Sequence, residues 1–356
     1  MLYQRENVHG GDLYGRDVRL DFSANTNPLG TPDSVRRAVA DSAASLNQYP
    51  DPYCRKLVAA LSDFEQVPAE YILCGCGAAE LIFSYCTAAR PRRALELAPT
   101  FSEYACALEA AGCSMERYVL SREDGFALGP DFLRFLRGGS WDALFLCNPN
   151  NPTGRTIDPD LLAEIAETCR EKGMRLFVDE CFLDLSDGGR DLSLKDCLGS
   201  EPGLFLLKAF TKSYGMAGLR LGYCLSADSA LLSAMGRSVQ PWNVSLPAQA
   251  AGTAALGERA FLARTREVIR TERQWLRERL EKLDILVCPS QANYLLLYSS
   301  VPLYGKLLES GILVRDCANY HGLGPGWCRI AVKRREENEA LINALRRILG
   351  RPCSER

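Results

Sequence analysis

The chain has 356 residues, of which 47% are hydrophobic and 24% are charged, and its formal net charge is −2. This length and composition are typical of a globular protein with a large core and two domains. The nearly balanced charge and the lack of a basic stripe with interleaved aromatic residues argue against a nucleic-acid partner. Because no apolar run is long enough to span a membrane and the N-terminus lacks the apolar core of a signal peptide, we expect a cytoplasmic protein without a membrane partner.

Cysteine and histidine usage argues against a metal centre. The chain has 15 cysteines but only two histidines, His9 and His321. A zinc site needs ligands clustered at set spacings, and no two cysteines are separated by two residues. We therefore expect no metal site and reduced, mostly buried cysteines. A redox role for Cys74 and Cys76 is the alternative.

The N-terminal part is predicted to start with irregular backbone, followed by two helices. Glycine and proline recur in residues 9–30, so we expect extended segments and turns there. A helix is predicted over 31–46, because Pro32 takes the first helical position. The Tyr-Pro-Asp-Pro segment at 49–52 ends it, and a second amphipathic helix is predicted over 53–64.

A glycine-rich turn follows these helices. A short apolar strand at Ile72 and Leu73 leads into Gly75 and Gly77, and a helix is predicted to begin near Ala78. Glycine lets the backbone approach a ligand closely, and the free N–H groups at a helix start attract phosphate. The turn therefore predicts a phosphate site, although an ordinary strand–turn–helix joint has the same pattern.

Strands and helices alternate through the middle of the chain. Strands are predicted at 94–99, 143–149 and 175–180, with helices at 101–111 and 159–172. This alternation indicates an α/β fold with a doubly wound, mainly parallel sheet. Ligands of such sheets lie beyond the carboxyl ends of the strands. Asn151, Asp179 and Lys212 each follow a strand end, so we expect them to converge on one site.

A basic segment follows the next strand, which is predicted at 204–207. It contains Lys208, Thr211 and Lys212, and Arg220 comes eight residues after Lys212. A lysine that leaves a buried strand can form an imine with a carbonyl cofactor once its amine is neutral, and partial burial favours the neutral form. An arginine fork binds phosphate bidentately. The alternative is a strand followed by a solvated basic loop.

The C-terminal part has a different pattern of predicted helices and strands. The pattern predicts a long charged helix at 258–283, short strands at 293–298, 312–315 and 327–332, and a last helix at 335–349. We interpret it as a smaller α+β domain that the N-terminal arm completes. The predicted large domain is 31–240, and the small domain is 1–30 with 241–356.

Four segments together carry a resemblance to a known family. They are the glycine-rich turn, Asn-Pro-Asn-Asn-Pro-Thr-Gly at 148–154, Val-Asp-Glu at 178–180, and the segment from Lys212 to Arg220. In order and spacing, over nearly the whole chain, they resemble the fold-type I enzymes that use pyridoxal 5′-phosphate (PLP), the aspartate aminotransferase superfamily. The resemblance implies the PLP-transferase fold, PLP as cofactor, and a homodimer with shared active sites.

The resemblance also implies roles for single residues. The catalytic residues would be Lys212, which would bind PLP as an imine, and Asp179, which would pair with the pyridine nitrogen. Asn151 would donate to the ring 3-oxygen, and Phe101 would stack on the ring. The phosphate would be held by Gly77, Ala78, Ala79, Thr211 and Arg220, and by Tyr49 from the neighbouring subunit.

Each of these residues also has an ordinary interpretation. Phe101 by itself suits core packing, and Asp179 suits a helix cap. Lys208 competes with Lys212 for the imine, and the preceding Thr211 and the spacing to Arg220 favour Lys212.

Within the superfamily, the chain resembles the branch that holds histidinol-phosphate aminotransferases and the threonine-phosphate decarboxylases of cobalamin synthesis. The segments at 9–11, 21–30 and 315–324 favour the decarboxylases. The resemblance then implies that a small phosphorylated amino acid is bound by His9, Gly30, Arg315 and Arg329. Phe182 is a departure from many superfamily members, which have a tyrosine there that donates to the ring oxygen.

The expected reaction is decarboxylation of L-threonine O-3-phosphate to aminopropanol phosphate. The alternative is an aminotransferase that acts on histidinol phosphate or a related amino acid. A third reading, from a different class, is a non-catalytic ligand-binding module of a regulator. The presence of Lys212 and Asp179 argues against it, as does the expectation that residues 1–30 belong to the fold and leave no room for a DNA-binding segment.

Overall fold

The computed structural model of the protein describes residues 9–351. The strands are β1 (Leu20–Asp21), β2 (Ile72–Gly75), β3 (Arg93–Ala98), β4 (Ser114–Val119), β5 (Ala143–Cys147), β6 (Arg175–Asp179), β7 (Leu204–Ala209), β8 (Gly222–Leu225), β9 (Leu286–Val287), β10 (Tyr294–Tyr298), β11 (Ile312–Leu313), β12 (Arg315–Asp316) and β13 (Trp327–Ala331). The helices are α1 (Asp33–Ser42), α2 (Arg55–Glu65), α3 (Ala78–Ala89), α4 (Glu103–Ala110), α5 (Asp131–Gly138), α6 (Pro159–Glu171), α7 (Phe210–Ser213), α8 (Ser229–Ser238), α9 (Leu246–Ala255), α10 (Arg259–Glu281), α11 (Leu303–Glu309) and α12 (Arg335–Ile348).

The central element is a seven-stranded sheet in the order β2-β8-β7-β6-β5-β3-β4. Its strands are parallel except β8, which runs antiparallel to both of its neighbours. The strands β5 and β7 are buried along their whole length, which explains their continuous apolar sequences. The predicted doubly wound, mainly parallel sheet is therefore confirmed. The sequence pattern carries no expectation for β4, β8, α5 or α8.

Local sequence explains where individual elements begin. The helix α6 starts at Pro159, and the carboxylate of the preceding Asp158 accepts hydrogen bonds from the N–H groups of Asp160 and Leu161. An N-cap carboxylate followed by proline is a strong helix start. This start brings the chain out of the loop after β5 and leaves Asn151 at the carboxyl edge of the sheet.

A ladder of three phenylalanines forms the core on one face of the large sheet. Phe145, Phe177 and Phe205 are direct neighbours on β5, β6 and β7. Their rings stack with centroids 4.7 and 4.9 Å apart. The fully buried rings of Tyr85 and Tyr104 pack on this ladder. Because side chains alternate across a strand, Asp179 lies on the same face as Phe177 and near these tyrosines.

The C-terminal part builds a second, antiparallel sheet in the order β12-β13-β10-β9. The N-terminal segment joins this part of the protein, since β1 pairs in parallel with β11 through Leu20 with Ile312 and Asp21 with Leu313. We predicted that the N-terminal arm belongs with the C-terminal segment, and this pairing agrees with that grouping. The domain boundaries themselves stay a prediction.

Two kinds of feature are absent from residues 9–351. None of the helices formed by these residues combines the length and apolar character needed to cross a membrane. The same residues include no cluster of histidine, cysteine and carboxylate side chains that could hold a metal ion.

Candidate active site

A cavity of about 310 Å³ lies at the carboxyl ends of β5, β6 and β7. The register aligns these ends, because Cys147 pairs with Asp179 and Asp179 pairs with Leu207. Asn151, Asp179 and Lys212 all line the cavity. The convergence predicted from three strand ends is therefore confirmed.

Most of the other predicted site residues line the same cavity. Those that do, besides the three at the strand ends, are His9, Ala78, Ala79, Phe101, Thr211, Arg220, Arg315 and Arg329. Gly77 is not part of the cavity lining, but its backbone packs against the guanidinium group of Arg220. Gly30 and Tyr49 are exposed and do not belong to the cavity lining, so their predicted contacts stay predictions.

Lys212 occupies the short helix α7, directly after β7, and its amine faces the cavity. Burial lowers the pKa of Lys212 to about 8, and the positive charges of Arg329 and Arg220 act in the same direction. Within residues 9–351 no carboxylate forms an ion pair with this lysine. A lysine in such surroundings is neutral in a substantial fraction of molecules near pH 8, which is the form that reacts with carbonyl compounds.

Lys208 is held in a different environment. It lies inside β7 and is 3% exposed, and its Nζ is 2.8 Å from Glu180 Oε2 and 4.0 Å from Glu65 Oε1. Burial lowers the pKa of Lys208, but the two carboxylates outweigh burial and raise it above the ordinary value. Lys208 does not line the cavity, and its charge is compensated within the core. This geometry favours Lys212 as the reactive lysine.

The Asp179 carboxylate is buried and accepts hydrogen bonds from Cys181 and Tyr104. The backbone N–H of Cys181 donates to Oδ1 at 2.9 Å, and the Tyr104 hydroxyl donates to Oδ2 at 2.6 Å. Burial raises the pKa of Asp179, while the donors at Cys181 and Tyr104 counteract that rise. In the part of the chain that the structure describes, no lysine or arginine forms an ion pair with Asp179. A buried carboxylate of this kind suits a cationic ring nitrogen as partner.

The glycine-rich turn and Arg220 form a narrow cradle at the start of α3. Gly77 has a φ of +83°, and a Cβ at this position would lie 2.7 Å from Nη2 of Arg220. A Cβ at Gly222 would lie 2.8 Å from the backbone nitrogen of Ala78. Two glycines thus keep a helix N-terminus open beside a guanidinium group, which is the arrangement that binds phosphate. The cradle, Lys212 and Asp179 together fit PLP.

Two buried arginines also line the cavity. Arg315 and Arg329 are cross-strand partners on β12 and β13 and are 4% and 6% exposed. Arg329 donates to Asn151 Oδ1 and, at 2.8 Å, to the carbonyl oxygen of Ser23. Arg315 donates to the carbonyl oxygen of Asp316 and to Asn319 Oδ1. These partners are neutral acceptors, so both positive charges can still receive an anion.

The hydrogen bond from Arg329 also orients the amide of Asn151. Because Arg329 donates to the Asn151 oxygen, the amide nitrogen is the group of Asn151 that can donate into the cavity. This agrees with the predicted donation from Asn151 to the ring 3-oxygen, which stays a prediction.

Asn25 and Glu103 are among the cavity residues that the sequence pattern does not single out. Asn25 is buried, and neither its amide nitrogen nor its oxygen has a hydrogen-bond partner within residues 9–351. Glu103 is buried, and its Oε1 lies 2.7 Å from Nε2 of His9. Asn25 lies in the segment 21–30, which carries part of the resemblance to the decarboxylases. The sequence pattern does not distinguish Asn25 from the other residues of that segment. Glu103 carries no local signal, since its partner is 94 positions away.

Comparisons with known proteins agree with this geometry. The family model described as aminotransferase class I and II matches residues 18–345. The chain is 39% identical to a threonine-phosphate decarboxylase of Salmonella typhimurium, over 96% of each chain. It is 34% identical to a histidinol-phosphate aminotransferase of Desulfitobacterium hafniense, over 93% of this chain and 92% of the relative. Its fold matches the crystal structure of the histidinol-phosphate aminotransferase from Clostridium acetobutylicum with a TM-score of 0.86 and 26% identity, over 93% of this chain and 99% of that chain.

Proposed function

The chain belongs to the family of class I and II aminotransferases, whose cofactor is PLP, and we propose that it decarboxylates L-threonine O-3-phosphate to aminopropanol phosphate. The similarity to the Salmonella typhimurium relative, 39% over 96% of both chains, is the observation that carries the proposal. The link to cobalamin synthesis and the assignment of individual residues belong to the proposal as well.

The cofactor would be held at three points of the cavity. Lys212 would bind its aldehyde carbon, and Asp179 would bind the pyridine nitrogen. The cradle at Gly77 and Arg220 would bind the phosphate, with Thr211 beside it. When bound there, PLP supplies an electron sink for the pair of electrons released at the substrate α-carbon.

The arginine pair is the part of the cavity that supports a phosphorylated amino acid as substrate. L-threonine O-3-phosphate carries two anionic groups, a carboxylate and a phosphate. Arg315 and Arg329 are buried and face the cavity without a carboxylate partner among the residues described. Two uncompensated guanidinium groups can bind two anionic groups, and His9 and the unpaired amide of Asn25 add further polar contacts.

The same residues would select the bond that breaks. Decarboxylation requires the bond between the α-carbon and the carboxylate to stand perpendicular to the cofactor ring. Contacts to the remote phosphate can impose this pose, because binding energy away from the reacting bond is spent on orientation. The carboxylate would leave as carbon dioxide, and Lys212, which lines the same cavity, would deliver the proton that replaces it at the α-carbon. No keto acid takes part in this sequence.

An aminotransferase acting on histidinol phosphate is the second candidate. It is favoured by the 34% identity to the relative from Desulfitobacterium hafniense. Histidinol phosphate has a phosphate but no carboxylate, so one arginine would serve it. The second arginine would then serve the dicarboxylate that accepts the amino group, such as 2-oxoglutarate.

We also propose that the enzyme is a homodimer. Tyr49 is 79% exposed in the single chain and stacks on the exposed Trp242, with ring centroids 4.5 Å apart. Tyr53 and Leu46 are exposed on the same part of the chain. Exposed aromatic side chains of this kind suit a protein interface, and Tyr49 would there reach the partner's cofactor. Sedimentation equilibrium of the purified protein tests this proposal, and a monomer at all concentrations would refute it.

The reaction is tested with two parallel assays on the purified protein with PLP. The first contains L-threonine O-3-phosphate without a keto acid, and carbon dioxide is measured. The second contains histidinol phosphate and 2-oxoglutarate, and glutamate is measured. The Lys212→Ala variant serves as the control in both.

Carbon dioxide in the first assay, dependent on Lys212, is the expected result. Glutamate in the second assay without carbon dioxide in the first would replace the proposal with the aminotransferase. If the wild type and the Lys212→Ala variant behaved alike in both, neither activity would belong to this cavity.

A further inference from the structure

A buried tyrosine makes a hydrogen bond to the carboxylate at the centre of the site. The Tyr104 hydroxyl donates to Asp179 Oδ2 at 2.6 Å, across 75 positions of sequence. Tyr104 is fully buried, and its ring packs edge-on against Phe101, with centroids 5.6 Å apart. It also packs against Phe145 and Phe177 of the ladder. The hydroxyl is therefore held in place by the core rather than by the cavity.

We propose that Tyr104 is a positioning residue that keeps the Asp179 carboxylate ionised and correctly oriented, so that the pyridine nitrogen of PLP carries the proton. This inference rests on the proposed assignment of Asp179 to the ring nitrogen. It does not depend on whether the reaction is a decarboxylation or a transamination.

Asp179 and the ring nitrogen of PLP would compete for one proton. In a low-dielectric site, the proton shared by a carboxylate and a pyridine nitrogen can lie on either partner. Burial raises the pKa of Asp179 and so favours the neutral carboxylic acid. Hydrogen bonds donated to the carboxylate favour its charged form and leave the proton on the ring. Tyr104 supplies this bias through its hydroxyl, and Cys181 supplies it through its N–H and its thiol.

Tyr104 is suited to the task because it remains a donor over the whole working pH range. Burial raises the pKa of Tyr104, and the negative charge of Asp179 raises it further. The phenol therefore keeps its proton. The backbone N–H of Cys181 is unaffected by a change at position 104, so Tyr104→Phe removes one donor and leaves that bond in place.

The chain offers a matched control at Tyr85. This tyrosine is also fully buried, and its ring packs against Phe145, Phe177 and Phe205 of the same ladder. Its hydroxyl has no hydrogen-bond partner within residues 9–351. Tyr85→Phe thus removes the same atom from the same core without touching Asp179.

The experiment compares Tyr104→Phe, Tyr85→Phe and the wild type after loading with PLP labelled with ¹⁵N at the pyridine nitrogen. The ¹⁵N NMR shift reports whether that nitrogen is protonated, and equilibrium dialysis gives the dissociation constant of PLP. We expect Tyr104→Phe to move the ¹⁵N shift toward the unprotonated form and to raise the dissociation constant about tenfold, the effect of one hydrogen bond to a charged group. The kcat should fall by a similar factor while the substrate KM stays within about twofold.

Tyr85→Phe should leave all of these quantities at the wild-type level. The inference would be overturned if a folded Tyr104→Phe protein had the ¹⁵N shift and the PLP dissociation constant of the wild type. The same loss in both variants would overturn it too, because it would assign the effect to core packing.

Two further variants keep the test decisive. Asp179→Asn checks the underlying assignment: if it leaves the ¹⁵N shift unchanged, Asp179 is not the ring partner and the site assignment fails. A change with Asp179→Asn but none with Tyr104→Phe would refute only the role of Tyr104. If Tyr104→Phe does not fold, 3-fluorotyrosine at position 104 keeps the shape and donates more strongly, so PLP should bind more tightly and its dissociation constant should fall. A dissociation constant that does not fall would also overturn the inference.

Discussion

Arg315 and Arg329 stand directly opposite each other on the paired strands β12 and β13, and both guanidinium groups are buried at the same cavity. Placing two positive charges side by side is unfavourable unless anions compensate them. Among the residues described, their hydrogen-bond partners are neutral oxygens. The pair is therefore expected to be completed by the substrate.

Replacing either arginine should weaken substrate binding strongly. We expect Arg315→Gln and Arg329→Gln each to raise the KM for L-threonine O-3-phosphate by about 10- to 100-fold, since a hydrogen bond to a charged group contributes about 1.5–3 kcal/mol. Steady-state kinetics measures the change, and Arg347→Gln on the exposed face of α12 is the control. A KM at the wild-type level in both cavity variants would place substrate recognition elsewhere.

Substitutions of the two lysines in the basic segment should have different effects, one on PLP binding and turnover and the other on the free energy of unfolding. Lys212→Ala should abolish the absorbance band of covalently bound PLP and all turnover while the free energy of unfolding stays near the wild-type value. Lys208→Met should keep the band but lower the free energy of unfolding by about 3 kcal/mol, because it leaves buried Glu180 without its cation. Absorbance spectra and urea unfolding of the PLP-free protein measure both effects. The opposite assignment, with the band lost only in Lys208→Met, would identify Lys208 as the reactive lysine.

The rate of covalent PLP binding should depend on pH through Lys212. Its pKa is lowered from 10.5 to about 8, and only the neutral amine attacks an aldehyde. Since the lysine loses its proton as pH rises, the rate should increase about tenfold per pH unit well below pH 8 and reach a plateau above it. Stopped-flow absorbance of the PLP-free protein measures the profile, and Nα-acetyl-lysine corrects for ionisation of PLP.

The cause of that low pKa can be tested separately. Arg329 is the strongest charged contributor after burial, so Arg329→Gln should move the plateau to higher pH. A profile that stays in place would assign the shift to burial alone. A wild-type rate that still rises at pH 10 would show that Lys212 has an ordinary pKa.

The glycine cradle should tolerate no side chain. Gly77→Ala puts a Cβ where φ is +83° and 2.7 Å from Arg220, so we expect a loss of about 1–2 kcal/mol in the free energy of unfolding and a PLP dissociation constant raised about tenfold. Gly218→Ala is the control, because a Cβ there meets no atom within 4 Å. Equilibrium dialysis of PLP distinguishes the variants. Equal affinities would mean that the phosphate binds outside this cradle.

Much of the large domain follows from short stretches of sequence. Apolar runs such as 143–147 and 175–179 alternate with amphipathic helices, and such runs are stably buried as the central strands of a covered parallel sheet. Because parallel strands end at one edge, the residues after them meet, and the sequence pattern alone predicts that Asn151, Asp179 and Lys212 lie together. The strand β8 was not predicted, because it begins at Gly222, directly after the segment from Lys212 to Arg220, and its four residues show no alternation of apolar and polar side chains.

The sequence by itself determined the fold class and the three residues at the strand ends, since those depend on local periodicity and on the order of elements. The tertiary structure decided what each side chain meets. Lys208 and Lys212 are four positions apart, but only the pairing of Lys208 with Glu180 and Glu65 shows that one lysine belongs to the core and the other to the cavity. The bond from Tyr104 to Asp179 joins residues 75 positions apart. Contacts of this kind depend on strand register and core packing, which no short window of sequence contains.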